Sequence, residues 1–324
     1  MKRLVAILIV FFFFSALFCA KKMLPPSPDR FPPRLVEANT RSRVQVELVF
    51  DEDLDPARFN PESLTITGLK VRGISLGRQQ NRVVVWTEPQ RQDNYLIQGV
   101  VWDVAGNPGR FRTGFKGSVR VDTIAPEARV VTPAPETRGL YRSVRIIVRF
   151  SEPVDTTTGL NYLIVPKAVE TLFTRSWDAN WQEIKFLCRD SLAGPDFYFL
   201  LLPGVVDLEN NRCRMPVWTC WTTDSVFEGV RVHGRTDFNT QPVRSGVVFF
   251  NQGSTRALAP VLSDGSWNLK LRSGVYSVFG VGDTDFDGQV DLISPEVEFN
   301  TKNESLLLFF VPESLSRSVN EYCR

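Results

Sequence analysis

The chain has 324 residues, which is room for about two or three domains of ~100 residues each. Its 38 basic and 36 acidic residues leave a net charge of +2, which gives no support to a nucleic-acid partner. A single histidine, His233, and three methionines leave little for imidazole or thioether metal sites. The same shortage argues against a Ser-His-Asp enzyme, and we predict no catalytic residue.

The N-terminus has the pattern of an export signal. Lys2 and Arg3 precede an apolar segment over positions 4–18, which is short for a membrane span of ~20 residues but suits a signal peptide. The segment ends at Cys19, and residues 16–19 resemble a bacterial lipobox, although Phe18 departs from its pattern. That resemblance implies lipidation of Cys19, so that residues 1–19 are the signal. An ordinary cleaved signal and an uncleaved anchor remain as alternatives.

A first β module is predicted over residues 34–124, after a stiff proline-rich linker at 20–33. Alternating apolar residues over 44–50 predict a strand with one face in a core, leaving Gln45 and Glu47 in water. The predicted strands of this module are 44–50, 64–66, 83–86, 95–102 and 118–121.

A second module at 125–225 repeats the first with a period of about 100 residues. Its predicted strands are 144–150, 183–187, 197–202 and 217–222. Ile184 and Phe186 fall a hundred positions after Val84 and Trp86, so the period covers the middle of the module. The short, proline-closed linker at 122–126 is expected to limit bending between the modules.

Turn chemistry recurs as well. Asp103 to Asn107 has the Asp, Gly and Asn residues of a tight turn, and Asp207 to Asn211 repeats it. Asn210 replaces Gly106, and the positive φ of that position is still expected.

Three of these segments together resemble bacterial Ig-like domains of S-layer and other surface proteins. They are Phe-Ser-Glu-Pro-Val-Asp at 150–155, Asp-Val-Ala-Gly-Asn at 103–107, and Asp-Thr-Ile-Ala-Pro at 122–126. The resemblance implies Ig-like β-sandwiches with Greek-key connections and no particular activity.

A third module at 226–313 does not share the repeat. Its Asp-Gly-Ser-Trp at 264–267 and Ser-Gly-Val-Tyr at 273–276 resemble the transthyretin-like fold of carboxypeptidase-regulatory-type domains, which implies a third, non-catalytic sandwich. Its predicted strands are 247–250, 267–271, 275–281, 297–299 and 306–311. In the tail, 314–324, apolar residues at helical spacing predict a short helix or a frayed end.

The sharpest local motif lies at 283–291, where oxygen-bearing side chains alternate in the order of a calcium loop. The candidate ligands are Asp283, Asp285, Asp287, Gln289 and Asp291. The usual glutamate at the twelfth position is absent, and a strand rather than a helix precedes the loop. The alternatives are a weak calcium site, the only cofactor we predict, and a solvated acidic turn.

Carboxylates also follow the first predicted strand of each repeat, at Glu52, Asp53 and Asp55 in the first copy and at Glu152 and Asp155 in the second. A glycosidase needs two carboxyls across a cleft. Because these residues recur in both copies, we interpret them as structural turn residues.

Trp177 and Trp181 are candidate ligand-binding aromatics, since neighbouring exposed rings suit sugars or a protein partner. The alternative is that they fill the sandwich core. His233 is expected to be a surface or packed residue.

Four cysteines follow Cys19, and outside the cytosol they allow three pairings. Cys213 and Cys220 flank a short link and could pair across a hairpin end. Cys188 would then pair with Cys323 or stay a buried thiol.

Together these observations predict an all-β protein with two tandem Ig-like sandwiches and a C-terminal transthyretin-like sandwich. The expected function is a non-enzymatic cell-envelope surface scaffold or adhesion module. It would be held to the membrane by an N-terminal lipid anchor, with envelope proteins or glycans as partners. The alternatives are a carbohydrate-binding surface protein and an accessory module of an envelope enzyme system.

Overall fold

The computed structural model describes residues 29–77, 79–140, 142–156, 162–192, 197–213, 217–253, 255–284 and 289–318. Cys19, Asp285, Asp287 and Cys323 lie outside these ranges. Within them the chain is all-β, as predicted, and its helical segments are the short 3₁₀ turns Pro56–Arg58, Pro61–Ser63, Lys167–Leu172 and Thr301–Asn303. Over the same ranges, no helix combines the length and the apolar character needed to cross a bilayer.

Residues 35–116 form two antiparallel sheets that enclose one apolar core. Their order, β1-β2-β5-β4 and β3-β6-β7, is the ABED and CFG arrangement of a constant-type Ig sandwich. The strands are β1 (Leu35–Ser42), β2 (Gln45–Phe50), β3 (Leu64–Ile66), β4 (Val71–Leu76), β5 (Arg82–Thr87), β6 (Asn94–Trp102) and β7 (Pro108–Lys116).

Residues 128–222 repeat this topology strand for strand. The sheets β11-β12-β9-β8 and β10-β13-β14 enclose a second core. The strands are β8 (Ala128–Thr132), β9 (Arg145–Phe150), β10 (Leu163–Val165), β11 (Phe173–Trp177), β12 (Glu183–Cys188), β13 (Phe197–Leu202) and β14 (Val217–Thr222). Both predicted Ig-like sandwiches are therefore present, with the same sheet order.

Residues 230–318 form two further sheets, β16-β15-β19 with β23 beside β15, and β18-β17-β20-β21-β24 with β22 beside β20. Their core is continuous with the outer face of the β10-β13-β14 sheet. The strands are β15 (Val230–Phe238), β16 (Gln241–Pro242), β17 (Gly246–Gln252), β18 (Thr255–Val261), β19 (Ser266–Leu271), β20 (Val275–Gly282), β21 (Gln289–Ile293), β22 (Val297–Asn300), β23 (Ser305–Phe309) and β24 (Val311–Ser318).

The outward side of β2 is not in water, contrary to the sequence prediction. Glu47 is only 7% exposed and forms ion pairs with Arg41 and Arg82. Gln45 is half-buried and donates a hydrogen bond to Asp122 in the linker. The alternation is present, but these polar side chains are covered by neighbouring arginines and by the linker.

The period of exactly one hundred residues fails in the middle of the module. Ile184 and Phe186 lie in the core of the second sandwich, whereas Val84 and Trp86 lie on the outer face of β5. The second copy has one extra residue before this strand. The counterparts of Ile184 and Phe186 are therefore Val83 and Val85, which lie in the core of the first sandwich. A shift of one residue in a strand exchanges its two faces.

Two further predictions about elements were wrong. The last strand of the first sandwich is β7, and positions 118–121 form no strand because they already belong to the connection to the second sandwich. The tail is not helical as far as residue 318, because β24 pairs with β21 there. Residues 319–324 lie outside the described ranges.

Candidate functional site

The first two sandwiches meet at a packed junction. Val44, Val84 and Trp86 are buried on the outer side of β2 and β5, where they form a small apolar cluster. Leu208, from the turn after β13 in the second sandwich, packs against it. These residues lie on the face opposite the core of the first sandwich, so their burial comes from the contact between the sandwiches.

Polar contacts surround this cluster. Arg43 Nε lies 2.9 and 2.7 Å from the two carboxylate oxygens of Glu209, whose side chain is only 1% exposed. The backbone N–H of Ile74 donates to Asn180 Oδ1 at 3.0 Å. The Arg72 guanidinium lies 5.3 Å from the centre of the Trp181 ring. The junction therefore combines apolar burial with directional bonds.

Gly73 marks a close approach of the two backbones at this junction. A Cβ at this position would lie 2.8 Å from the carbonyl oxygen of Asn180 and 3.1 Å from a side-chain carbon of Pro153. The two sandwiches can approach this closely because residue 73 has no side chain.

Three carboxylates converge beside the junction, and we call Asp122, Glu152 and Asp207 the junction triad. All three are buried, and one oxygen from each lies within 4.8 Å of those of the other two. Asp122 comes from the linker, Glu152 lies two residues after the end of β9, and Asp207 lies in the turn after β13. The Ig topology places these three connections at the same end of the second sandwich.

Asp207 is held by its own turn and tied to the linker. Its Oδ1 accepts hydrogen bonds from the backbone N–H groups of Glu209 and Asn211, each at 2.8 Å. The Asn211 side-chain amide donates to Asp207 Oδ2 at 2.8 Å and to the carbonyl oxygen of Asp122 at 3.0 Å. Asn210 has φ +65°, as predicted for the counterpart of Gly106, whose φ is +92°.

The Asp122 carboxylate is bonded by the linker and by the first sandwich. Its Oδ1 accepts from the backbone N–H of Ile124 at 3.0 Å, and its Oδ2 accepts from the side-chain amide of Gln45 in the first sandwich. With its carbonyl oxygen bonded by Asn211, Asp122 therefore connects the first sandwich to the second.

Glu152 differs from the other two members. It is 4% exposed, and its Oε1 has no hydrogen-bond partner among the described residues. Burial, reinforced by the charges of Asp207 and Asp122, raises its pKa to about 8. Burial also raises the pKa of Asp207, against the hydrogen bonds from Asn211 and Glu209.

Three carboxylates also converge at the N-terminal end of the first sandwich. They are Asp29, Glu52 and Asp103, which we call the N-terminal triad. The backbone N–H of Asn107 donates to Asp103 Oδ1 and its side-chain amide donates to Asp103 Oδ2, each at 2.7 Å. The side-chain amide also donates to the carbonyl oxygen of Asp29 at 3.1 Å. The backbone N–H of Phe31 donates to Asp29 Oδ1 at 3.0 Å. Asp29 is exposed, whereas its counterpart Asp122 is buried at the junction with the first sandwich.

Sequence reasoning identified the turns and the glutamates but not their convergence. A usable signal was present, because Asp-Arg-Phe-Pro-Pro at 29–33 and Asp-Thr-Ile-Ala-Pro at 122–126 share an Asp and a Pro at the same spacing. The prediction of a proline-rich spacer at 20–33 does not include this duplication of the linker. The carboxylates do lie at turns, as interpreted, and Asp55 Oδ1 accepts from the backbone N–H of Ala57 at 3.0 Å.

The two predicted ligand-binding tryptophans are held by different neighbours. Trp177 on β11 is half-buried, and its ring centre lies 6.5 Å from that of Phe150. Trp181 is half-buried beside Arg72 at the junction. A groove of about 1350 Å³ between the second and third sandwiches has neither ring in its lining. Ligand binding by this pair stays a prediction.

The predicted calcium loop at 283–291 connects β20 to β21. Asp283 is buried, and Asp291 Oδ2 accepts from the backbone N–H of Thr284 at 2.7 Å. Gln289 begins β21. Because Asp285 and Asp287 lie outside the described residues, calcium binding here also stays a prediction.

The histidine and the cysteines take structural positions. His233 is exposed on β15, as expected for a surface residue. Cys188 and Cys220 are buried free thiols, and burial raises the pKa of Cys220 to about 12. The suggested Cys213–Cys220 pair is not formed, because Cys213 belongs to the core of the second sandwich while Cys220 faces the third.

No protein-family model matches the sequence, and no curated protein matches it. Among solved structures, the chain is similar to the N-terminal part of the bacterial S-layer protein SbsC, at 12% identity and a TM-score of 0.26, covering 59% of this chain and 44% of that one. It is similar to dimeric latent PorU from Porphyromonas gingivalis, at 13% identity and a TM-score of 0.28, covering 86% of this chain and 33% of that one. For tandem Ig domains of titin the identity is 11% and the TM-score 0.24, covering 59% of this chain and 96% of that one. The chain thus spans less than half the length of the first two, and similarity at this level says nothing about activity, ligand or partner.

Proposed function

We propose that the chain is an exported, non-enzymatic scaffold of the cell envelope, anchored through a lipid on Cys19. Its first two sandwiches act as one stiff unit that carries the third. The observation that carries the proposal is the junction, where Leu208 packs on Val44, Val84 and Trp86 while Arg43 pairs with Glu209.

The contacts at the junction would oppose bending between the sandwiches. Complete burial of an aliphatic side chain stabilises a fold by roughly 1.5–3 kcal/mol. Leu208 is partly buried, so it contributes part of this free energy. The Arg43–Glu209 pair holds both carboxylate oxygens of a side chain that is withdrawn from water, which favours a defined geometry over a mobile surface pair. A rotation of one sandwich against the other would lose these contacts together.

The third sandwich is fixed to the second in a similar way. Phe227 meets Phe197 of β13 edge to face, with ring centres 4.4 Å apart. The apolar cluster is continuous across this contact. We assign the third sandwich to the transthyretin-like type on its turn motifs at 264–267 and 273–276.

Export and anchoring are supported by the N-terminal pattern of positive charge, apolar segment and cysteine. Mass spectrometry of the membrane-extracted protein should find a diacyl- or triacylglyceryl group on Cys19. An unmodified Cys19 would remove the anchor from the proposal and leave the stiff unit standing.

The stiffness is tested by small-angle X-ray scattering on the chain from residue 20, with Leu208→Ser as the variant. We expect a larger radius of gyration and a broader distance distribution than for the wild type, because the apolar contact between the sandwiches is lost. Val104→Ser is the matched control, since Val104 occupies the same position in the first turn and is 70% exposed.

Scattering curves for the wild type that already require an ensemble of inter-sandwich angles would contradict the proposal. So would steady hydrolysis of ester, peptide or glycoside substrates by the wild type that disappears in Glu152→Gln.

A further inference from the structure

The junction triad holds more negative charge than its surroundings compensate. None of the ion pairs among the described residues involves Asp122, Glu152 or Asp207, although all three are buried. Arg129 is the basic residue whose charge acts on Glu152, and it opposes the effect of two triad carboxylates and of Glu127. Like charges brought this close in a buried position repel one another unless a cation or a proton neutralises them.

The hydrogen bonds of the triad leave one position open. Both oxygens of Asp122 and both of Asp207 accept hydrogen bonds. Glu152 Oε1 accepts none, although the residue is 4% exposed. Buried carboxylate oxygens are nearly always satisfied, so an orphaned oxygen among two other carboxylates indicates a missing partner.

The chemistry of the donors defines that partner. All the converging atoms are carboxylate oxygens, which are the ligands of hard divalent cations rather than of zinc or copper. Each carboxylate oxygen has two lone pairs, so Asp122 and Asp207 Oδ2 can bind an ion while keeping their hydrogen bonds. Calcium accepts irregular protein cages, whereas magnesium demands near-octahedral geometry and retains its waters.

We propose that Asp122, Glu152 and Asp207 bind a calcium ion at the junction of the first two sandwiches. The ion neutralises the buried charge and takes the open position at Glu152 Oε1. The site is distinct from the predicted loop at 283–291. It does not depend on the location or the non-enzymatic nature of the chain, because it rests on the geometry of the triad alone.

The ion would also couple the linker to the contact between the sandwiches. Asp122 accepts from Gln45 of the first sandwich. Asp207 shares its turn with Leu208 and Glu209, which both contact the first sandwich. A ligand that binds this arrangement and not the separated sandwiches stabilises the docked state.

The test is calorimetric titration of calcium chloride into the EDTA-treated chain from residue 20, together with thermal unfolding with and without calcium. Extracellular calcium sites have Kd on the order of 10⁻⁴–10⁻³ M, so the titration extends to about 10 mM. For the wild type we expect a binding heat and a rise in Tm.

Three variants assign the heat to the triad. Glu152→Gln removes a ligand charge at nearly constant volume and should weaken this binding event at least about tenfold. Glu127→Gln is the matched control, because it removes a neighbouring, exposed charge that is not part of the triad, and it should leave the affinity within about twofold of the wild type. Asp291→Asn removes a ligand of the predicted loop at 283–291 and should leave the triad event in place.

Thermal unfolding in EDTA distinguishes the loss of a calcium ligand from misfolding of the variant. Because glutamine is neutral, the Glu152→Gln variant should melt there at or above the wild-type temperature. The proposal is overturned if the wild type shows neither heat nor a Tm rise with calcium, which would mean that a proton neutralises Glu152. It is equally overturned if Glu152→Gln binds as the wild type does, or if magnesium chloride binds as tightly as calcium chloride.

Discussion

Single side chains join the repeated turns of the two copies to the segments that precede the sandwiches. Asn211 donates to Asp207 in its own turn and to the carbonyl oxygen of Asp122, and Asn107 does the same with Asp103 and Asp29. An asparagine at this position fits because its two amide hydrogens can reach two acceptors at once. Each turn is therefore bonded to the segment that precedes its sandwich, and the second turn is in this way part of the connection between the first two sandwiches.

Asn211→Ala should lower the free energy of unfolding by about 1–3 kcal/mol, because it leaves buried oxygens of Asp207 and Asp122 with fewer donors. Urea unfolding in EDTA measures the change. The matched variant Asn107→Ala should cost less, since Asp29 is exposed and water can replace the lost bond there. Equal losses of unfolding free energy in the two variants would show that burial by the neighbouring sandwich does not strengthen these hydrogen bonds.

At the level of elements, apolar alternation was enough to predict the central strands. β3, β13 and β14 have the predicted bounds, and β2 and β9 begin one residue later than predicted. The strands that the sequence did not reveal include the sheet edges β1, β4, β8 and β11, whose side chains are mixed or half-exposed and give no clear period.

The junction triad could not be predicted in the same way. Its members lie 30 and 55 positions apart, and only the sheet order brings the three connections together. The turn residues at 103–107 and 207–211 were predictable because their chemistry is local. The orphaned oxygen of Glu152 depends on packing between two sandwiches, which no local pattern encodes.

The pair of central strands β9 and β12 carries a pH-dependent contact. Burial raises the pKa of Glu183, but hydrogen bonds from Lys185 and Arg149 outweigh it, so that the pKa lies below its ordinary value of 4.5. A lowered folded-state pKa means that the contact stabilises the fold above the unfolded-state pKa and loses this effect as the pH falls.

Urea midpoints between pH 7 and pH 3 should therefore drop more steeply for the wild type than for Glu183→Gln, most of all below pH 4.5. Since Arg149 and Lys185 are about half-exposed, we expect a difference of no more than about 1 kcal/mol. Parallel pH profiles for the two proteins would refute the assignment.

At the scale of the whole molecule, three sandwiches with separate sheets are joined by packed contacts. The junction of the first two depends on Gly73, because the backbone of Asn180 lies where a side chain of residue 73 would be. Overpacking such a contact typically costs 1–3 kcal/mol, because one backbone has to move away from the other.

Gly73→Ala should consequently lower Tm and enlarge the radius of gyration, with an energetic cost of about 1–3 kcal/mol. Gly114→Ala is the control, because a Cβ there meets only the carbonyl oxygen of Tyr95, at 3.7 Å. Scattering and thermal unfolding of both variants provide the comparison, and a Gly73→Ala protein with wild-type dimensions would contradict the assigned role.

The approach at Gly73 also determines what kind of adjustment the molecule can make. Side chains across an interface can exchange rotamers and so accommodate several relative orientations. Where one main chain lies directly on another, there is no rotamer to exchange, and van der Waals contact between the two backbones sets how closely they approach. A change in the angle between the sandwiches would require the backbone itself to move, so we expect this contact to oppose hinge motion at the linker.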